Sequence, residues 1–268
     1  MRIAILDMYN NVANEGMRCI QQAIRTVEMT DGLPMPYELF NVRADNHLPD
    51  LSFDAYISTG GPGIPLPLGE AWEAPYFQLI DAIFDHNRLT EDKKHLFLIC
   101  HSFQLVAGHL GMGVVNKRKS TSFGIFPMHR TEEGMTEPLF RNLGEPFYAV
   151  DSRDFQLTEP NMTVFKALGA KLLCLEKIRP HVDLERAVMA IRFTDEIFGT
   201  QFHPEADDEG MLRYFLQDEK KAQIIANYGQ DKYDEMMSYL RDPQKIALTE
   251  SVILPGFLRN AVREMELA

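Results

Sequence analysis

Cysteine is scarce in this chain of 268 residues: three copies, Cys19, Cys100 and Cys174, stand far apart and never as Cys-x-x-Cys. An odd, sparse set argues against a disulfide framework and offers no paired metal-ligand spacing, so reduced thiols and no metal are expected. Basic charge is also short. Lys and Arg number 27 against 39 Asp and Glu, a formal net charge of −12. A surface of that sign repels nucleic acid and anionic membrane, so neither is an expected partner; a nucleotide-sized substrate stays open. Long apolar runs are missing, and no stretch approaches the roughly 18 apolar residues of a membrane span. The opening run Ile3-Ala4-Ile5-Leu6 is too short an apolar core for a secretory signal, so a cytoplasmic setting is the expectation. Internal repeats, low-complexity linkers and a phosphate-binding P-loop are absent too.

What is present is the make-up of a globular α/β protein, 45% apolar and 25% charged. Residues 3–6 read as a buried first strand, followed by an amphipathic helix whose Met17, Ile20, Ala23, Ile24 and Val27 share one face. Strands are expected at 37–42, 54–58 and 95–99, with a helix over about 70–85 that turns Trp72, Tyr76, Leu79, Ile80 and Ile83 inward. Another helix is expected over 104–110. Strands alternating with helices predict an open, mostly parallel sheet covered on both faces. From residue 114 the pattern is richer in strands, at 123–127, 147–150, 172–175, 187–193 and 198–202. Residues 208–268 read as several short helices broken near Gly229, Pro243 and Pro255-Gly256, a helical extension packed on a main domain of residues 1–207.

Three pieces of this chain carry chemistry. Cys100 closes the apolar run Leu96-Phe97-Leu98-Ile99 and stands at the start of the next helix. A thiol acts as nucleophile only as its thiolate, and a sharp strand-to-helix turn exposes the sulfur toward the positive end of that helix. About a hundred residues later comes Gln201-Phe202-His203-Pro204-Glu205. His203 and Glu205 are two apart, which on an extended segment puts both side chains on one side, and Pro204 keeps the segment from turning helical. A histidine so placed can take a thiol proton and return it to a leaving amine, with the carboxylate fixing its tautomer. The third piece is Thr59-Gly60-Gly61-Pro62-Gly63, where backbone N–H groups of Gly60 and Gly61 can turn toward an oxyanion. Both the glycine loop and Cys100 fall at carboxyl ends of predicted strands, where ligands of open α/β sheets bind. His101 is a less suitable base than His203, because adjacent residues on a helix diverge. Cys19 and Cys174 lie in apolar periodic segments and read as core.

These residues resemble the class I glutamine amidotransferases of the Cys-His-Glu type, including the glutaminase part of GMP synthetases, over residues 1 to about 207. The likeness rests on Ser58-Thr59-Gly60-Gly61-Pro62-Gly63, on Leu98-Ile99-Cys100-His101-Ser102-Phe103-Gln104 where the family has G-x-C-x-G-x-Q, and on the intact Gln201–Glu205 motif. It implies a flavodoxin-like fold and hydrolysis of the glutamine side-chain amide through a thioester on Cys100, with no cofactor. It implies His203 as acid and base, Glu205 as its orienter, Gly60 and Gly61 as the oxyanion loop and Gln104 as a substrate contact. Ser152 and Arg153, within Asp151-Ser152-Arg153-Asp154, occupy a family segment that meets the amino-acid end of the substrate. The chain departs from the pattern at Leu98 and Ser102, which replace motif glycines, and at Arg153, which replaces the usual histidine; Ser102 is expected to add a side chain where the pocket is tight. The alternatives are a related thiol hydrolase or acyltransferase on another γ-glutamyl or acyl substrate, and a silent binding module. Family enzymes pass ammonia to a synthetase, here a separate subunit if one exists. The extension is expected to add core or form a homodimer before it covers the site.

Overall fold

The computed structural model describes residues 1–178 and 184–267. Five short strands, β1 (Ile3–Asp7), β2 (Tyr37–Asn41), β3 (Ala55–Ser58), β4 (His95–Ile99) and β9 (Ile197–Thr200), run parallel in the order β2-β1-β3-β4-β9. Every residue of β3, β4 and β9 is buried, as expected of parallel strands covered on both faces. Beyond β9 the direction alternates through β8 (Val188–Arg192), β7 (Lys171–Leu175), β5 (Val114–Arg130) and β6 (Phe147–Thr158). The sheet is thus mixed, with a parallel half and an antiparallel half that meet at β9.

Alternation along the strands divides the core in two. Ile3, Ile5, Ile57, Phe97 and Ile99 face a layer made by α1 (Gly16–Asp31) and α10 (Ile246–Leu267). Ala4, Leu6, Tyr56, Leu96 and Leu98 face α3 (Glu73–Leu89) and α4 (His101–His109), where Trp72, Tyr76, Leu79, Ile80 and Ile83 are buried as the periodicity predicted. Single turns at α2 (Val42–Asp45) and α5 (Glu132–Met135) and a short α6 (Met162–Leu168) fill connections. A third apolar cluster joins the long β5–β6 ribbon to α7 (Asp208–Phe215), α8 (Asp218–Tyr228) and α9 (Gln230–Tyr239), through Ile125, Val150, Phe215, Ile224, Tyr233 and Met236.

Two features depart from the sequence reading. The strands of the ribbon extend well past residues 123–127 and 147–150, and α10 runs unbroken through Pro255 and Gly256. Proline costs a helix one N–H donor and crowds the preceding turn. Here Ile253 and Leu254 before it and Phe257 and Leu258 after it are all buried against the sheet, which holds both halves of the helix in line. Among the described residues no helix is long and apolar enough to cross a membrane.

Phe257 packs edge-on to Phe97 of β4, with ring centres 5.1 Å apart. Truncation in Phe257→Ala therefore opens a void beneath the strand that carries Cys100. Denaturant unfolding should show a loss of about 3–5 kcal/mol, the range for large-to-small changes at buried aromatic positions; a loss near zero would show that α10 is not part of this core.

Candidate active site

Strand β4 delivers Cys100 into a turn with φ 49° and ψ −98°, and α4 begins at the next residue. A non-glycine residue in such a conformation stores on the order of 1–3 kcal/mol, so the surroundings must hold it. They do so through the main chain: Cys100 N–H donates to the Thr200 carbonyl at 2.7 Å, and Gln104 N–H donates to the Cys100 carbonyl at 3.0 Å. The sulfur is enclosed from two further sides. Its S–H points to the Ser152 carbonyl at 3.6 Å, and Gln201 Nε2 donates to Sγ at 3.5 Å. Gln201 Oε1 in turn accepts from Gln104 Nε2 at 2.6 Å.

His203 lies three residues past β9. Its N–H donates to the Val150 carbonyl of β6 at 2.8 Å, and its Nδ1 pairs with Glu205 Oε1 at 2.8 Å. Burial works against charge on this imidazole, but the Glu205 carboxylate and the Cys100 sulfur outweigh it and hold the His203 pKa well above its ordinary 6.5. Glu205 is buried, and Tyr9 sits beside it as a neutral phenol: burial, then the charges of Glu205 and Asp7, push its pKa well above 10. His101, by contrast, is buried without a partner on Nε2, and burial with nearby Arg43 lowers its pKa to about 3. A neutral imidazole of that kind is a poor proton acceptor.

The glycine loop lies against both groups. A Cβ on Gly60 would stand 2.9 Å from His203 Cε1 and 3.7 Å from Cys100 Cβ, and one on Gly61 would collide with the Met8 carbonyl at 2.3 Å. No side chain fits at either position. Among the described residues neither N–H donates to a protein acceptor, which leaves two donors free at the rim of the site.

The loop is braced from behind by a residue the sequence placed elsewhere. Ser102 does not crowd the pocket: it is fully buried, and its hydroxyl donates to the Thr59 carbonyl at 2.6 Å and meets Ser58 Oγ at 2.8 Å. The following turn of α4 carries the side chain away from the cavity and under the loop. Leu98 is likewise set into the core, opposite Gly199, where an added Cβ would lie 2.8 Å from Phe103 Cδ2.

Gly61, Cys100, Gln104, Ser152 and Arg153 line one cavity of about 170 Å³. The Arg153 guanidinium is buried against residues of a separate cavity of about 320 Å³, with Nε bonded to both Asp151 oxygens at 2.9 Å and Nη2 to Glu176 at 3.3 Å, while Nη1 has no protein partner. A second cavity of about 670 Å³ lies on the His203 side, lined by His203, Glu205, Tyr9 and Cys19, and it shares Ser152 with the first. Cys19 is no nucleophile, since burial raises its thiol to about 12. Cys174 is fully buried and its thiol is also pushed up by burial. Among the described residues no group of His, Cys, Asp and Glu is placed to hold a metal ion.

All eight side chains or backbone groups read from the sequence as site residues therefore gather at one edge of the sheet. Gln201, Thr59 and Tyr9 were missed. Gln201 had a visible signal, because it shares the i, i+2 spacing of His203 and Glu205 and so falls on the same side of the chain. Tyr9 had none.

The family model for "Glutamine amidotransferase class-I" matches residues 33–221. Among solved structures, this chain is similar to a glutamine amidotransferase from Thermotoga maritima, with 15% identity, a TM-score of 0.65, and 99% of this chain and 97% of that one covered. It is similar to a glutamine amido transferase from Methylobacillus flagellatus, with 13% identity, a TM-score of 0.65, and coverage of 98% and 94%. The glutaminase domain of the Trypanosoma brucei CTPS, with bound acivicin, matches with 13% identity, a TM-score of 0.54, and coverage of 76% and 86%. At these identities the likeness shows the fold. No curated protein matches the sequence.

The charge balance at His203 is open to measurement. In an NMR titration its pKa should lie above 6.5 in the native chain and fall in Glu205→Gln, where the carboxylate that outweighs burial is gone. Folded and charged are linked here, so the stability from this pairing is fully present below the unfolded value near 6.5 and is lost as pH rises through the higher folded value. An unchanged titration in Glu205→Gln would show that the pair does not set the charge.

Proposed function

The chain belongs to the class-I glutamine amidotransferase family, and we propose that it hydrolyses the side-chain amide of glutamine through a thioester on Cys100. The observation that supports this reading is the meeting of three groups: Cys100 and Gly61 on the 170 Å³ cavity, the His203–Glu205 pair on the neighbouring one, and Gly60 packed against both His203 and Cys100.

The residues divide the work as follows. His203 takes the thiol proton, and the thiolate attacks the amide carbon. The carbonyl oxygen, now negative, meets the N–H groups of Gly60 and Gly61. His203, held by Glu205, gives its proton to the departing nitrogen, and the carbon–nitrogen bond breaks to leave the thioester. A water molecule, deprotonated by His203, then attacks the thioester; the carbon–sulfur bond breaks and glutamate leaves. Arg153 lines the same cavity, and its buried guanidinium, bonded to Asp151 and Glu176, fixes β6 beside the substrate's amino-acid end. Gln104 and Ser152 line the same cavity and contact the substrate's amino-acid end. The ammonia goes to an acceptor held by another subunit or to solvent.

Incubation with a diazo-ketone analogue of glutamine should label Cys100, seen as a mass shift on its peptide. Cys100→Ala should lose glutamine turnover by roughly 10³-fold or more while keeping its fold. Full turnover in Cys100→Ala, or labelling only at another cysteine, would reject the reading.

A further inference from the structure

Hydrolysis of glutamine itself leaves the larger cavity without a use. Ammonia needs about the room of one water molecule, roughly 10–15 Å³ of such space, whereas the space on the His203 side is about 670 Å³. The departing nitrogen must take its proton from His203, so the leaving group sits on His203's side of the scissile bond. His203 and Glu205 line the large cavity, Cys100 and Gly61 line the small one, and Ser152 belongs to both. The two spaces are the acyl side and the amine side of a single bond.

We propose that the large cavity seats the amine half of an N-substituted γ-glutamyl amide, and that γ-glutamyl peptides are better substrates than free glutamine. This rests on the assignment of Cys100 and His203 given above. The walls indicate which amine fits. Val12, Phe123, Met211 and Tyr214 are apolar, and the Phe123 and Tyr214 rings stand 5.0 Å apart. The acidic groups at the mouth are already engaged: Asp207 accepts from Arg18 at 2.7 and 2.8 Å, and Glu15 accepts from Arg18 at 2.6 Å and from Arg213 at 2.8 Å. Lys220 is different. It lies 5.3 Å over the Tyr214 ring and has no ion-pair partner among the described residues. An apolar wall with one unpaired cation suits an amino acid as leaving group, its side chain against Phe123 and Tyr214 and its carboxylate toward Lys220.

The chemistry balances with water alone. Cys100 Sγ bonds to the γ-carbon as the peptide C–N bond breaks, and the freed amino acid leaves with the proton from His203. Water then supplies the hydroxyl to glutamate and a proton to His203, which returns it to the thiolate. The helices α7 and α8, which add Met211, Tyr214 and Lys220, thereby serve as the specificity wall.

The test uses the full chain with γ-glutamyl-L-phenylalanine, γ-glutamylphenethylamide and glutamine, with amine or ammonia release measured. The peptide should exceed glutamine in kcat/KM by roughly tenfold or more, the scale set by an apolar pocket. Ala13→Trp fills the cavity from an exposed loop position, where the fold tolerates it; it should lower the peptide-to-glutamine ratio by about tenfold. Lys220→Ala should raise KM for the peptide and not for the phenethylamide, which lacks the carboxylate. Preference for glutamine, or variants that move all substrates equally, would overturn the pocket while leaving the thiol mechanism intact. If nothing is cleaved and Cys100 resists the diazo-ketone, both readings fall together.

Discussion

The parallel pairing of β4 with β9 is the constraint on which the site depends. Its register, from Leu96↔Ile197 to Ile99↔Thr200, is carried one step further by the bond from Cys100 N–H to the Thr200 carbonyl. That last bond holds Cys100 in its strained turn and at the same time fixes where residues 201–205 leave the sheet. A slip of one residue would turn Gln201, His203 and Glu205 to the opposite face together. Size complementarity prevents it: Leu98 stands opposite Gly199, and a side chain at 199 would run into Phe103 and Phe193.

The antiparallel half checks the same geometry from the other side. β6 touches both partners, through the Val150 carbonyl on His203 and the Ser152 carbonyl on Cys100. Between these two contacts lies Asp151, paired with buried Arg153, which also reaches Glu176. A buried ion pair adds little net stability, since desolvation consumes most of its attraction, but removal of one partner leaves an uncompensated charge. Its use here is to hold one strand in one register next to Cys100 and His203. Ser102 does comparable work for the glycine loop, with a single hydroxyl that reaches both Ser58 and Thr59.

Much of this was legible in the sequence, for identifiable reasons. The parallel half reads well because its strands are short and, apart from the edge strand β2, almost wholly buried and mostly apolar, and because the helices between them carry clean apolar faces. The site residues read well because Cys100, Gly60-Gly61 and His203-Pro204-Glu205 each have a local backbone requirement that residue type reveals. The ribbon reads poorly. Its outer segment, Asn116-Lys117-Arg118-Lys119-Ser120, is polar throughout; β6 pairs with Asn116 and Lys117, and an irregularity then interrupts the register until Ser122. The run of α10 through Pro255 is similarly decided by burial on both sides of the proline. Ser102 shows a third limit. Residue type revealed that a side chain had replaced a glycine, but only the turn geometry showed that the side chain points under the glycine loop and away from the cavity.

The distance along the chain between Cys100 and His203 has a consequence for how the protein comes into being. The strand that leads to Cys100 is complete about a hundred residues before His203 is made, and at 5–20 residues per second that interval is roughly 5–20 s. Throughout it the thiol has neither His203 beside it nor the Thr200 carbonyl to hold its turn. A reactive cysteine exposed on a nascent chain would be open to oxidation or stray acylation. Because the Thr200 carbonyl and His203 arrive only with β9 and the residues after it, the Cys100 thiol stands without these neighbours until the chain has been made past residue 203.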